Sequence, residues 1–126
     1  MMTPDRVRKL ALSLPEAKEQ DHWGNPSFRV RGKIFATLSP KEHRAVVKLT
    51  RDHQEMLFST LPEVFLRNSW SHQGWTGIDL KAIDALTLRS VVETSWRNVA
   101  PKRLVAGPSN SVAKPQRRTA KGRART

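Results

Sequence analysis

The sequence predicts an α+β fold of two layers: one antiparallel five-stranded sheet covered by helices on one face, in the order α-β-β-β-α-β-β-α. Two observations carry this. Apolar residues recur at helical spacing near both ends of the first hundred residues, at Val7, Leu10, Ala11 and Leu14 and again at Leu88, Val91, Val92, Trp96 and Val99. Between them, strand-like runs follow one another with only turn residues separating them, the pattern of a meander closed by helices rather than of alternating parallel units.

Thr3, Pro4 and Asp5 read as a helix start: a hydroxyl cap, a proline whose missing N–H costs nothing in the first turn, and an acid at the positive end of the helix dipole. The helix is expected from Pro4 to about Leu14, where Pro15 closes it. Lys18 to Asn25 is polar and reads as an irregular entry or a short edge strand. Ser27–Arg31, Lys33–Leu38 and Arg44–Leu49 are the three consecutive strands, turned by Gly32 and by Ser39-Pro40-Lys41-Glu42. Asp52 is the expected cap of a second helix that ends at Pro62. Val64–Leu66 and Trp75–Leu80 read as two more strands across a polar loop from Arg67 to Gly74, and Asp84 caps a last helix that Pro101 ends.

Charge divides the chain. Lys and Arg number 23 against 11 Asp and Glu. Residues Gly107 to Thr126 hold six of those cations (Lys114, Arg117, Arg118, Lys121, Arg123 and Arg125) and no acid. Such a segment has too little apolar surface to offset the entropy of ordering it, so residues 106–126 are expected to form a disordered basic tail behind a single domain spanning residues 1–105. The remaining balance, 17 minus 11, leaves the domain itself at +6. A polyanion such as DNA is the partner this charge suits.

Several classes are disfavoured. With no cysteine, disulfides, thiolate metal sites and a Cys nucleophile have no residues to use. His22, His43, His53 and His72 lack the helical i, i+4 spacing of a hydrolytic zinc site, and no phosphate-cradling glycine loop or G-x-S-x-G element occurs. No enzyme, cofactor or metal is expected. Met1 to Arg6 lacks the apolar core of a signal peptide and no stretch suits a membrane span, so a cytoplasmic protein is expected.

One set of residues carries a family resemblance. The run His22-Trp23-Gly24-Asn25-Pro26-Ser27-Phe28-Arg29-Val30-Arg31-Gly32-Lys33-Ile34-Phe35-Ala36, with Val46-Val47-Lys48-Leu49, Gly74-Trp75 and the closing stretch from Trp96 to Leu104, resembles the MmcQ/YjbR family of small bacterial proteins. The resemblance spans about Thr3 to Leu104. It implies a fold like that of the bacterial frataxin homologue and secretion chaperones, and a DNA-binding role proposed for the family through a double-wing surface. An acidic iron-holding ridge of the frataxin kind has no counterpart, since Lys18 interrupts Glu16, Glu19 and Asp21.

The candidate binding residues follow from strand alternation. Arg29, Arg31, Lys33 and Lys48 lie on neighbouring strands, with Arg29 and Arg31 on the face opposite Phe28 and Val30. They form either a phosphate-following wing or a solvated face whose long side chains cover apolar neighbours. A three-residue turn at Arg31-Gly32-Lys33 would set Lys33 and Phe35 beside the arginines, and a two-residue turn would set Ile34 and Ala36 there. Trp96 is expected in the core. Trp23, Trp70 and Trp75 could stack on bases or close a pocket, although packing at the core's edge is the commoner fate, with Trp70 the most exposed.

The function expected from the sequence is therefore a non-enzymatic nucleic-acid-associated domain that binds DNA mainly through phosphates. The alternative is a module holding a peptide or small ligand in the cleft between sheet and helices.

Overall fold

The computed structural model describes residues 2–105; the basic tail expected at 106–126 lies outside the described residues. Helix α1 spans Pro4–Leu12, capped by the Thr3 hydroxyl, which accepts from the Arg6 N–H at 3.2 Å. It stops two residues short of the expected Leu14. Ser13 closes it, with its hydroxyl donating to the Leu10 carbonyl at 2.6 Å.

Six strands follow rather than five: β1 Ala17–His22, β2 Asn25–Val30, β3 Lys33–Ser39, β4 Arg44–Lys48, β5 Phe65–Leu66 and β6 Trp75–Asp79. They form one antiparallel sheet in the order β1-β2-β3-β4-β6-β5. The added strand is β1, whose six residues Ala-Lys-Glu-Gln-Asp-His pair with β2 from Ala17↔Val30 to His22↔Asn25. Its backbone bonds to β2 compensate for the lack of an apolar face, as suits a charged edge strand.

Helix α2 runs Arg51–Thr60, and α3 runs Ala85–Val99 from the expected Asp84 cap, whose carboxylate accepts from the Thr87 N–H at 2.7 Å. The cap of α2 is Thr50, accepting from His53 N–H at 3.2 Å, not Asp52, which falls inside the first turn. A last short helix, α4, spans Lys102–Val105 beyond Pro101.

The helices lie on one face. Phe28, Val30, Phe35, Ala36, Leu38, Ala45, Val47 and Ile78 point from the sheet into a core shared with Val7 and Ala11 of α1, Leu57 and Phe58 of α2, and Leu88, Val91, Val92 and Trp96 of α3. Polar braces fix α3 to the sheet: the Lys48 N–H donates to the Ser95 hydroxyl at 2.9 Å, that hydroxyl donates to the Phe35 carbonyl, and the Asn98 amide donates to the Lys48 carbonyl at 2.9 Å. These bonds hold the C-terminal end of β4, and with it Lys48, in place.

The β2–β3 hairpin settles the turn left open by the sequence. Val30 pairs with Lys33, so the turn is two residues, Arg31 (φ 52°) and Gly32 (φ 81°). Both central residues with positive φ make the turn type that matches the twist of a hairpin. Ile34 then faces the same side as Arg29, as a two-residue turn requires. Ala36 does not, because Phe28↔Ala36 and Arg29↔Ile34 leave Phe35 as an extra residue, a bulge that sends both Phe35 and Ala36 into the core.

Three exposed carboxyls are held below their ordinary values: Asp84 by the Thr87 N–H, Glu16 by the Arg31 guanidinium and Glu55 by the Arg67 guanidinium. Each therefore binds a proton less readily when folded than when unfolded. The stability it adds is present above the unfolded value, about 3.8 for Asp84 and 4.5 for the two glutamates, and is lost as pH falls through the lower folded value. The melting midpoint is expected to fall as pH drops below about 4.5. Asp84→Asn, which keeps a capping oxygen that does not titrate, should show a shallower fall in calorimetry; an identical pH profile would contradict the role of Asp84.

Candidate nucleic-acid interface

Among the described residues, no helix covers the other face of the sheet. Strand pairing places Lys18 of β1, Arg29 of β2 and Ile34 of β3 in one row across it; Lys48 of β4, opposite Trp75 of β6, lies on the same face two residues beyond Val46. The neighbouring row is Gln20, Ser27, Thr37, Val46 and Gly77. Arg44 lies beyond it, opposite Asp79. Among the described strand positions facing this side, Asp79 is the one acid.

Arg29 and Lys48 both project from this face. The Arg29 guanidinium drapes over Ser27, its Nε donating to the Ser27 hydroxyl at 3.2 Å, while that hydroxyl donates to the Gln20 carbonyl at 2.8 Å. Lys48 reaches over Trp75, with its ammonium 4.7 Å from the ring centroid, a cation–π contact. Among the described residues neither enters an ion pair.

Arg31 and Lys33 behave differently from the sequence expectation. Arg31 sits in the turn and is bound in two places by Glu16, Nε to Oε1 at 2.5 Å and Nη2 to Oε2 at 3.0 Å, so its charge is already matched. Lys33 pairs with inward-facing Val30 and stands exposed at the hairpin tip, out of the row. Arg31 and its partner Glu16 line one hollow with Lys18 and Arg29, and Lys18 and Arg44 add further positive charge to the face. Lys18 is hidden in the sequence because its stretch shows no strand alternation. Lys114, Arg117, Arg118, Lys121, Arg123 and Arg125 lie outside the described residues.

The three tryptophans singled out in the sequence converge here. Trp23, Trp70 and Trp75 line one concavity of about 540 Å³, together with His22, Ile34, Thr37, Val46 and Asn68. Trp75 is its half-buried floor. Trp23 is 90% exposed and Trp70 60% exposed, so packing at the core's edge holds for neither, and Trp23 rather than Trp70 is the more open. The reason is local. Trp23 occupies the first place of the two-residue β1–β2 turn, with φ 57° followed by Gly24 at φ 86°, which throws its indole off the sheet against His22, edge to face at 6.3 Å.

Trp70 comes from the opposite side, on the loop between β5 and β6. That loop is tightly bonded: Asn68 Oδ1 accepts from the Trp70 N–H at 2.7 Å, Asn68 Nδ2 donates to the Trp75 carbonyl at 3.4 Å, and the Asn68 N–H donates to the Ser71 hydroxyl at 2.8 Å. His72 stacks on Trp70 at 6.5 Å. Beneath, the buried Gln54 amide donates to the Trp75 carbonyl at 3.3 Å and to the Thr76 hydroxyl at 3.0 Å, fixing the floor to α2. The core fills the helix side of the sheet, and this concavity lies on the opposite face.

Among the described residues, no group of three or more His, Cys, Asp or Glu side chains is placed to hold a metal ion. None of their helices is long and apolar enough to cross a membrane.

Comparison with curated proteins gives no match. Among solved structures the fold is similar to the crystal structure of Deinococcus radiodurans protein DR2400, which contains a DUF419 domain; the TM-score is 0.69 at 19% identity, over 76% of this chain and 77% of that one. At that identity the likeness establishes the fold alone. The YjbR family model matches residues 12–98, which take in the whole sheet, helix α2 and all of α3 but its last residue, and begin at the end of α1. With its sheet, most of its core and its open face inside that match, the chain belongs to the YjbR family.

Proposed function

We propose that this domain binds DNA without catalysing a reaction, through phosphate contacts from the open face of its sheet, assisted by the basic tail. The observation that carries this reading is the presence of Lys18, Arg29 and Lys48 together on a face that no helix among the described residues covers. Cations so placed neutralise phosphates and release counterions, which gives affinity with little sequence preference.

The test is a salt titration. Replacing Arg29 and Lys48 with Ser should lower the log–log salt slope by about 0.9 for each duplex phosphate no longer neutralised, hence about 1.8 for two. An unchanged slope in the double variant would mean that the face is a solvated surface only. A second reading, a small-ligand or peptide module, is supported by the tryptophan cleft, whose 540 Å³ lies within the usual range of small-molecule sites. It would be preferred if the double variant kept both the parent slope and the parent affinity for DNA.

A further inference from the structure

We infer that the tryptophan cleft holds an unpaired base of single-stranded DNA, stacked against the indoles while Arg29 and Lys48 hold the flanking phosphates. This rests on the DNA-binding reading of the open face and narrows it to one class of strand. The supporting observation is a juxtaposition. Trp23 and Trp70, 90% and 60% exposed, face one concavity from opposite sides, over a floor of Ile34, Val46 and Trp75. Arg29 pairs with Ile34 and Lys48 with Trp75 of that floor, and the Lys48 ammonium lies 4.7 Å from the Trp75 ring.

Two large indoles left in water around one hollow mark a surface that gains free energy when covered. The charge at its margin selects an anionic occupant, and the flat walls select a planar one. A base attached to a phosphate chain is both. In a duplex the base faces are already stacked on one another, so only an unpaired strand can offer them. Base–aromatic stacking needs no match of hydrogen-bonding edges.

The assignment to DNA rather than RNA rests on the DNA-binding reading of the open face, and an oligouridylate probe tests it. The Asn68 amide is engaged within the loop, its oxygen with the Trp70 N–H and its nitrogen with the Trp75 carbonyl. His22, Thr37 and the indole N–H groups are the other polar groups of the lining.

The experiment uses the full-length protein and fluorescence anisotropy at one fixed salt concentration. The probes are an oligothymidylate, an abasic deoxyribose-phosphate oligomer of equal length, a duplex of that length and an oligouridylate. The oligothymidylate should bind about tenfold or more tightly than the abasic strand, with quenching of tryptophan fluorescence, and more tightly than the other two probes. Quenching reports on the domain, since all four tryptophans lie between Trp23 and Trp96 and residues 107–126 have no aromatic residue.

Trp70→Ala and Trp23→Asn should bring oligothymidylate affinity toward that of the abasic strand while leaving the salt slope unaltered. Equal, salt-dependent affinity for the oligothymidylate and the abasic strand would overturn stacking but leave the phosphate reading standing. No binding of any probe at low salt would overturn both. Tighter binding of the duplex or the oligouridylate would overturn the assignment to single-stranded DNA. The comparison of probes on the unsubstituted protein decides the matter even if a variant fails to fold.

Discussion

Trp96→Ala is expected to destabilise the domain by about 3–5 kcal/mol, the range for deleting a large aromatic from a packed core. Trp96 is 5% exposed on the inner stripe of α3, between Val92 and Val99, and its indole N–H donates to the Pro15 carbonyl at 3.0 Å. The truncation would therefore open a cavity and also orphan the carbonyl that closes the segment after α1. Trp70→Ala, at an exposed loop position, should change stability by no more than about 0.5 kcal/mol. Urea denaturation at constant m distinguishes them, and similar small effects at both positions would contradict the placement of Trp96.

Gly74→Ala is expected to cost about 3 kcal/mol and to weaken the cleft as well, since strain and overpacking contribute roughly 1–3 kcal/mol each. Gly74 has φ 95°, which an L side chain rarely adopts, and a Cβ built there would stand 2.5 Å from the Leu49 carbonyl oxygen. The obstacle is backbone. The Leu49 N–H donates to the Gly74 carbonyl at 2.8 Å, and the Thr76 hydroxyl donates to the same carbonyl at 3.1 Å, so relief by movement would break the bonds that seat the β5–β6 loop. Gly24→Ala is the control: its φ is 86°, but a Cβ meets nothing within 4 Å, which leaves only the conformational cost of about 1 kcal/mol. Equal destabilisation at the two glycines in urea melts would show that the close approach at Gly74 is unimportant.

Much of the fold is legible in the sequence because local signals and packing agree there. Thr3 and Asp84 cap the helices that their spacing announces, and the alternation of Phe28 and Val30 with Arg29 places that arginine on the uncovered face. β1 is less legible. Its run of polar residues carries no alternation, and what makes it a strand is pairing with β2, a long-range fact. The bulge at Phe35 is hidden for the same reason: two consecutive inward residues in a nearly continuous apolar run leave no pattern to break.

The cleft divides similarly. Trp23, Trp70 and Trp75 stand out by residue type, but their meeting depends on a hairpin turn at one side and a loop at the other, brought together by the strand order. Arg31 shows the converse. Its exposure is readable from alternation, whereas its capture by Glu16, fifteen positions earlier, depends on β1 existing at all.

The proposed DNA binding requires that the folded domain, and not the tail alone, contacts phosphate. A chain ending at Val105, first shown by thermal melting to keep a cooperative transition, should be titrated with DNA across a range of salt concentrations. Measurable binding at low salt is expected, weakening linearly on the log–log plot, with a slope reduced by the Arg29 and Lys48 replacements. No binding by the tail-less domain at low salt, alongside binding by the full chain, would contradict it.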